Sequence, residues 1–126
     1  MVNEIFNFLD KTNKTISFAE SCTGGALSSS LTMIPGASKV FLGSIVSYST
    51  YSKQQLLNID KSDVDKYSAV SERIAIAMAE NVKKQLKSDY SISVTGNAGP
   101  STDGEKSKVG DCFIAISSEN EIFCEK

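Results

Sequence analysis

The chain predicts an α/β protein, a single domain folded as a three-layer α/β/α sandwich around a mixed, mostly parallel sheet. Three observations carry this. Short runs rich in Ile, Val, Phe and Tyr alternate with helical stretches, the pattern of strands joined through crossover helices. Two late strand-like runs are separated by a short polar turn, which implies a β-hairpin and so an antiparallel pair. The length, 126 residues, suits one domain with a sizeable core, so residues 1–126 are read as one unit.

The elements follow in order. Ile5, Phe6 and Leu9 mark one face of an N-terminal helix ending near Asn13. Residues 15–19 form the first strand. Residues 24–33 read as a helix with Ala26, Leu27 and Leu31 on one side, stopped by Pro35-Gly36. Residues 41–48 are a second strand and 52–57 a short helix, and 60–68 read as a polar connection. The best-defined helix spans 71–86. Ser71 is its N-cap and Glu72 lies in its first turn, and Ile74, Met78 and Val82 line its buried stripe. Alanines at 75, 77 and 79 predict close packing on the sheet. A strand at 90–95 leads into a long Gly/Ser/charged loop at 96–108, a kind of loop that in compact domains tends to be functional or mobile. Residues 109–117 and 121–124 form the hairpin, turning at Ser118-Glu119-Asn120. The chain ends just after this strand, so one sheet face is expected to be incompletely covered.

Composition narrows the function. A formal net charge of −2 gives no footprint for nucleic acid. No window has the length of a transmembrane helix. No basic region precedes the first apolar residues, so no signal peptide is expected and the cytoplasm is the expected location. The cysteines, Cys22, Cys112 and Cys124, are odd in number, lack metal-type spacing and have no histidine to join them, so neither a metal nor a cofactor is expected. Cys112 and Cys124 sit in strand-like runs and read as small buried side chains.

The chemistry concentrates between Thr15 and Ala26. There a short apolar run ends in Glu20-Ser21-Cys22-Thr23-Gly24-Gly25 before a helix. A strand that breaks into glycines and then a helix presents N–H groups, suited to a phosphate or an oxyanion. The same residue types are also ordinary caps and turns. If Ser21 is a nucleophile, the absence of histidine excludes an imidazole base, and a lysine or carboxylate must take the proton. Cys22 abuts the turn, but Ser21 is better placed. Ligands in open α/β sheets bind beyond the carboxyl ends of the strands. Three segments could meet there: 20–25, the stretch after the second strand with Tyr48 and Lys53, and Thr95-Gly96-Asn97-Ala98-Gly99-Pro100. A desolvated Lys53 would serve as general base, Tyr48 as relay or orienter, and Glu20 as partner of Lys53 or of a substrate amine. Gly96 and Gly99 either permit a turn or let the backbone approach a phosphate.

Several motifs occur together in one order: Ala19-Glu20-Ser21-Cys22-Thr23-Gly24-Gly25, Pro35-Gly36-Ala37-Ser38, Tyr48-Ser49 with Lys53, Ala69-Val70-Ser71, Thr95-Gly96-Asn97-Ala98-Gly99-Pro100 and Val109-Gly110. In this combination the chain resembles the C-terminal domain of the CinA proteins, the nicotinamide-nucleotide amidase family, from about residue 3 onward. The resemblance implies an α/β/α fold, often dimeric, that deamidates nicotinamide mononucleotide to nicotinic acid mononucleotide and ammonia without a metal. It assigns Ser21 as nucleophile, with Tyr48 and Lys53 as its partners. Substrate contacts would come from Glu20, Thr23, Gly24, Gly25, Thr95, Gly96 and Gly99, with oxyanion donors around 23–25. Family members usually continue with a Gly-Asp-Arg-type motif and a terminal helix, whereas the single arginine here is Arg73, on another segment. The alternative reading is a catalytically weak or inactive nucleotide-binding or regulatory domain.

Overall fold

A computed structural model describes residues 1–102 and 106–126; the part of the expected 96–108 loop at 103–105 lies outside the described residues. In chain order the elements are α1 (Val2–Thr12), β1 (Ile16–Glu20), α2 (Ala26–Thr32), a 3-10 turn (Ala37–Lys39), β2 (Phe41–Val46), α3 (Thr50–Leu57), α4 (Lys61–Tyr67), α5 (Glu72–Leu86), β3 (Tyr90–Gly96), β4 (Cys112–Ser117) and β5 (Ile122–Glu125). No described helix is long and apolar enough to cross a membrane.

The sheet has five strands in the order β2-β1-β3-β4-β5. β1 runs parallel to both β2 and β3, while β3–β4 and β4–β5 are antiparallel, so the sheet is mixed, as expected. Alternate residues of β1 serve opposite layers. Ile16 and Phe18 pack with Leu9, Leu31 and Val40 under α1 and α2. Ala19 packs with Leu57, Val64, Ile74, Met78 and Val82 under α3, α4 and α5. These two cores make the three layers.

The α5 contact shows how the small residues act. Ala75 and Ala79 are fully buried and let the helix lie close to the sheet. On β3 beneath, the Ser91 hydroxyl donates to the Ala79 carbonyl at 2.6 Å and the Ser93 hydroxyl to the Ala75 carbonyl at 2.5 Å. A polar strand face is thereby satisfied against a helix flank.

One expectation is corrected. Residues 60–68 are not merely a connection, because α4 occupies most of them. The Asp60 side chain caps its first turn, and Val64 anchors it in the core. With one strongly apolar residue in seven, the segment has no periodicity to read. On the α1–α2 side of the sheet, Ile114, Ile116 and Phe123 are exposed, because helices cover β1 and β3 but not β4 and β5.

Candidate active site

The site lies where β1, β2 and β3 end. Ser21 follows β1 directly. Its N–H donates to the Val94 carbonyl at 3.0 Å, and its carbonyl accepts from the Gly24 N–H at 3.1 Å, so the residue is clamped on both sides. Lys53 comes from α3. The Ser49 and Ser52 side chains form a reciprocal capping box at the start of that helix, which fixes its first turn. Lys53 is 2 % exposed and Ser21 5 % exposed. The Lys53 Nζ lies 2.7 Å from Ser21 Oγ, 2.8 Å from the Ser47 carbonyl and 3.3 Å from the Tyr48 carbonyl. An ammonium has three donors, and these three oxygens match them. A neutral amine matches as well: two N–H groups for the carbonyls and a lone pair for the serine hydroxyl.

A pocket of about 170 Å³ opens on this pair, lined among others by Ser21, Cys22, Tyr48, Lys53, Val70 and Asn97. Burial pushes the Cys22 thiol up from the ordinary cysteine range, and the nearby Cys112 adds to the rise.

Several expected roles are changed by the geometry. Glu20 does not hold Lys53. Its fully buried carboxylate accepts from the Thr23 hydroxyl, the Gly25, Leu27 and Ser28 N–H groups and the Ser28 hydroxyl. Burial alone would raise the Glu20 carboxyl, but the Ser28 and Thr23 hydroxyls and the Ser28 and Leu27 amides hold it below the usual range. Glu20 and Thr23 thus organise the start of α2. The Gly24 and Gly25 amides, expected as oxyanion donors, are already engaged by Ser21 and Glu20. The N–H groups of Cys22 and Thr23 make no backbone–backbone hydrogen bond among the described residues, although the Cys22 N–H reaches its own thiol, and they are the donors left in that turn. Tyr48 contributes its carbonyl rather than its phenol. The side chain is 75 % exposed on the rim of the same pocket, and its hydroxyl bonds to none of the described residues.

The third segment also meets the pocket. Thr95 is buried with its hydroxyl on the Ala69 carbonyl. Gly96 is a place of close approach: a Cβ there would sit 3.0 Å from the Asp111 carbonyl and 3.1 Å from Cys22 Sγ. Gly99 has φ +85, and a Cβ would come within 2.8 Å of Val109. Packing against 109–112 therefore already accounts for both glycines. Reasoning from the sequence missed that carbonyls, those of Ser47 and Tyr48, hold the lysine. A main-chain acceptor leaves no mark in residue type. Arg73 pairs with Asp63 at 3.1 Å, linking α5 to α4. No cluster of His, Cys, Asp and Glu among the described residues could hold a metal.

A family model, the CinA C-terminal domain, matches residues 1–126. The chain belongs to the CinA family. A CinA-like protein from Prochlorococcus marinus (strain MIT 9312) is 54% identical over 112 residues, covering 89% of this chain and 26% of its own length. A CinA-like protein from Fervidobacterium nodosum is 47% identical over 122 residues, covering 97% of this chain and 30% of its own. The chain therefore spans less than a third of these curated relatives. Among solved structures, a CinA superfamily protein from Escherichia coli matches with TM-score 0.94 at 27% identity, covering 98% of this chain and 72% of that one. A competence/damage inducible protein from Agrobacterium tumefaciens matches with TM-score 0.93 at 28% identity, covering 98% and 76%. The CinA fold is thus shared at nearly full coverage of this chain.

Proposed function

We propose that this CinA domain is an amidohydrolase that deamidates nicotinamide mononucleotide, with Ser21 as nucleophile and Lys53 as general base. The observation that supports the reading is the 2.7 Å separation of two buried groups, Lys53 Nζ and Ser21 Oγ, on the lining of a pocket. Burial disfavours an ammonium, and a neutral lysine is the base that a histidine-free chain can offer.

The steps follow from the contacts. With its N–H groups on the Ser47 and Tyr48 carbonyls, neutral Lys53 takes the Ser21 proton as Oγ attacks the carboxamide carbon. In this proposal the oxyanion is assigned to the Cys22 and Thr23 N–H groups, which make no backbone–backbone hydrogen bond among the described residues. Lys53, now charged, protonates the amide nitrogen, the C–N bond breaks and ammonia leaves. Water, deprotonated by the same amine, then attacks the acyl carbon, the proton returns to Ser21 Oγ, and nicotinic acid mononucleotide is released. A pocket of about 170 Å³ is smaller than the ~300–1,000 Å³ typical of whole-ligand sites, which suits the carboxamide ring, with ribose and phosphate lying along 95–99. A cytoplasmic homodimer belongs to the same proposal, with sedimentation as its check.

A second reading, nucleotide binding without turnover, draws on the Gly24 and Gly25 amides being engaged and on Arg73 being paired with Asp63. Incubating the purified chain with nicotinamide mononucleotide separates the two. Stoichiometric ammonia and nicotinic acid mononucleotide support the amidase. A saturable nucleotide affinity with no ammonia supports the binding domain.

A further inference from the structure

We propose that Cys22 and Cys112 are a peroxide-responsive thiol pair that closes to a disulfide in the wall of the Ser21 pocket. This goes beyond the amidase reading and rests on it only for the effect on turnover.

The two cysteines converge on Gly96 from different elements. A Cβ built on Gly96 would lie 3.1 Å from Cys22 Sγ and 3.3 Å from Cys112 Cβ. Gly96 and Cys112 are directly opposite on the β3–β4 ladder, so the residue between the two thiols is the one that lacks a side chain. Both thiols are free and half-buried. Cys22 lines the pocket, which gives a small oxidant a way in. Their proximity also registers electrostatically: after burial, Cys112 is the next influence holding the Cys22 thiol high. Cys124 is no rival partner. It pairs with Ala115 on the α5 side of the sheet, whereas Cys112 lies at the alternate parity on the other face.

The chemistry needs one oxidant, hydrogen peroxide. The Cys22 thiolate attacks a peroxide oxygen, the O–O bond breaks, and hydroxide leaves to take up the thiol proton as water. The sulfenic acid formed on Cys22 is then attacked at sulfur by the Cys112 thiolate, and a second water departs. Two thiols lose two electrons and one peroxide becomes two waters. The new bond ties residue 22 to β4 next to Ser21, and a shift of Ser21 against Lys53 is the route by which it would lower turnover. A displacement of about 1 Å at a reacting group can cost on the order of a hundredfold in rate.

The test is a non-reducing peptide map of the whole reduced chain after hydrogen peroxide treatment. A glutamate-specific protease is required, since it cuts at Glu119 and Glu121 and so separates Cys112 from Cys124. The expected result is a Cys22–Cys112 linked peptide, a loss of two hydrogens in mass, reversal by dithiothreitol, and faster closure at alkaline pH. Three free thiols, a link through Cys124 or a link between chains overturns the proposal. In the same samples, ammonia release should fall at least tenfold on oxidation and return on reduction. Cys112→Ala should keep its activity through peroxide. A linked peptide with unchanged turnover overturns the regulatory part. A reduced parent that releases no ammonia counts against the amidase, and the peptide map still decides the disulfide.

Discussion

Five donors converge on Glu20, which has no exposed surface. Such a carboxylate is stable where buried because each lone pair is used. Glu20→Gln keeps the shape but turns an amide N–H₂ toward donors. Each donor left without an acceptor costs about 1–3 kcal/mol, so a clear fall in the urea midpoint is expected. The sign of the pH effect follows. The folded carboxyl is held below its unfolded value, so its stabilisation is complete above the unfolded value of about 4.3 and is lost as pH falls through the folded value. Urea titrations should show a flat midpoint from neutral pH to about pH 5 and then a decline, and the Glu20→Gln variant should lose part of that decline. The residues of this site were legible in part. Ser21 and Lys53 stand after strand ends, where side chains carry chemistry. The partners of Glu20 were not legible, because they are mostly amides of a helix that had first to be placed.

Helix α5 and strand β3 show what the elements contribute. Ala75 and Ala79 let Ser91 and Ser93 reach helix carbonyls, which fixes the spacing of helix and sheet. Ala79→Leu would force them apart, and overpacking of this kind costs about 1–3 kcal/mol. Thermal unfolding of that variant should show a lower midpoint, whereas Ala77→Leu, at a half-buried position, should show a smaller drop. Ala75 and Ala79, four residues apart, announced this close packing in the sequence because small residues on one helix face have few other uses, whereas Ala77 lies off that face. Helix α4 was not announced. A single core anchor, Val64, and a capping Asp60 secure it, and neither makes a period. The hairpin was legible because alternation and a polar turn coincide at Ser118, where the Ser118 N–H closes on the Glu121 carbonyl at 2.9 Å.

For the whole molecule, the sheet is covered unevenly. One side holds α3, α4 and α5; the other holds α1 and α2 over β1 and β3 and leaves Ile114, Ile116 and Phe123 in contact with solvent. Phe123→Ser should therefore change stability by no more than about 0.5 kcal/mol, as judged from urea midpoints, while reducing self-association at high concentration. The layered fold itself explains why distant segments make one site. Parallel strands β2, β1 and β3 all end on the same edge, so Tyr48, Ser21 and Asn97 reach one pocket from separate parts of the chain. The central claim is that Ser21 and Lys53 act as one unit. A double-mutant cycle tests it most directly, with kcat/KM for ammonia release from nicotinamide mononucleotide measured for the parent, Ser21→Ala, Lys53→Met and the pair. The account predicts that each single change costs at least about a thousandfold and that the double change costs no more than either alone. Near-parental release by Ser21→Ala, or losses that simply multiply in the double variant, would contradict it.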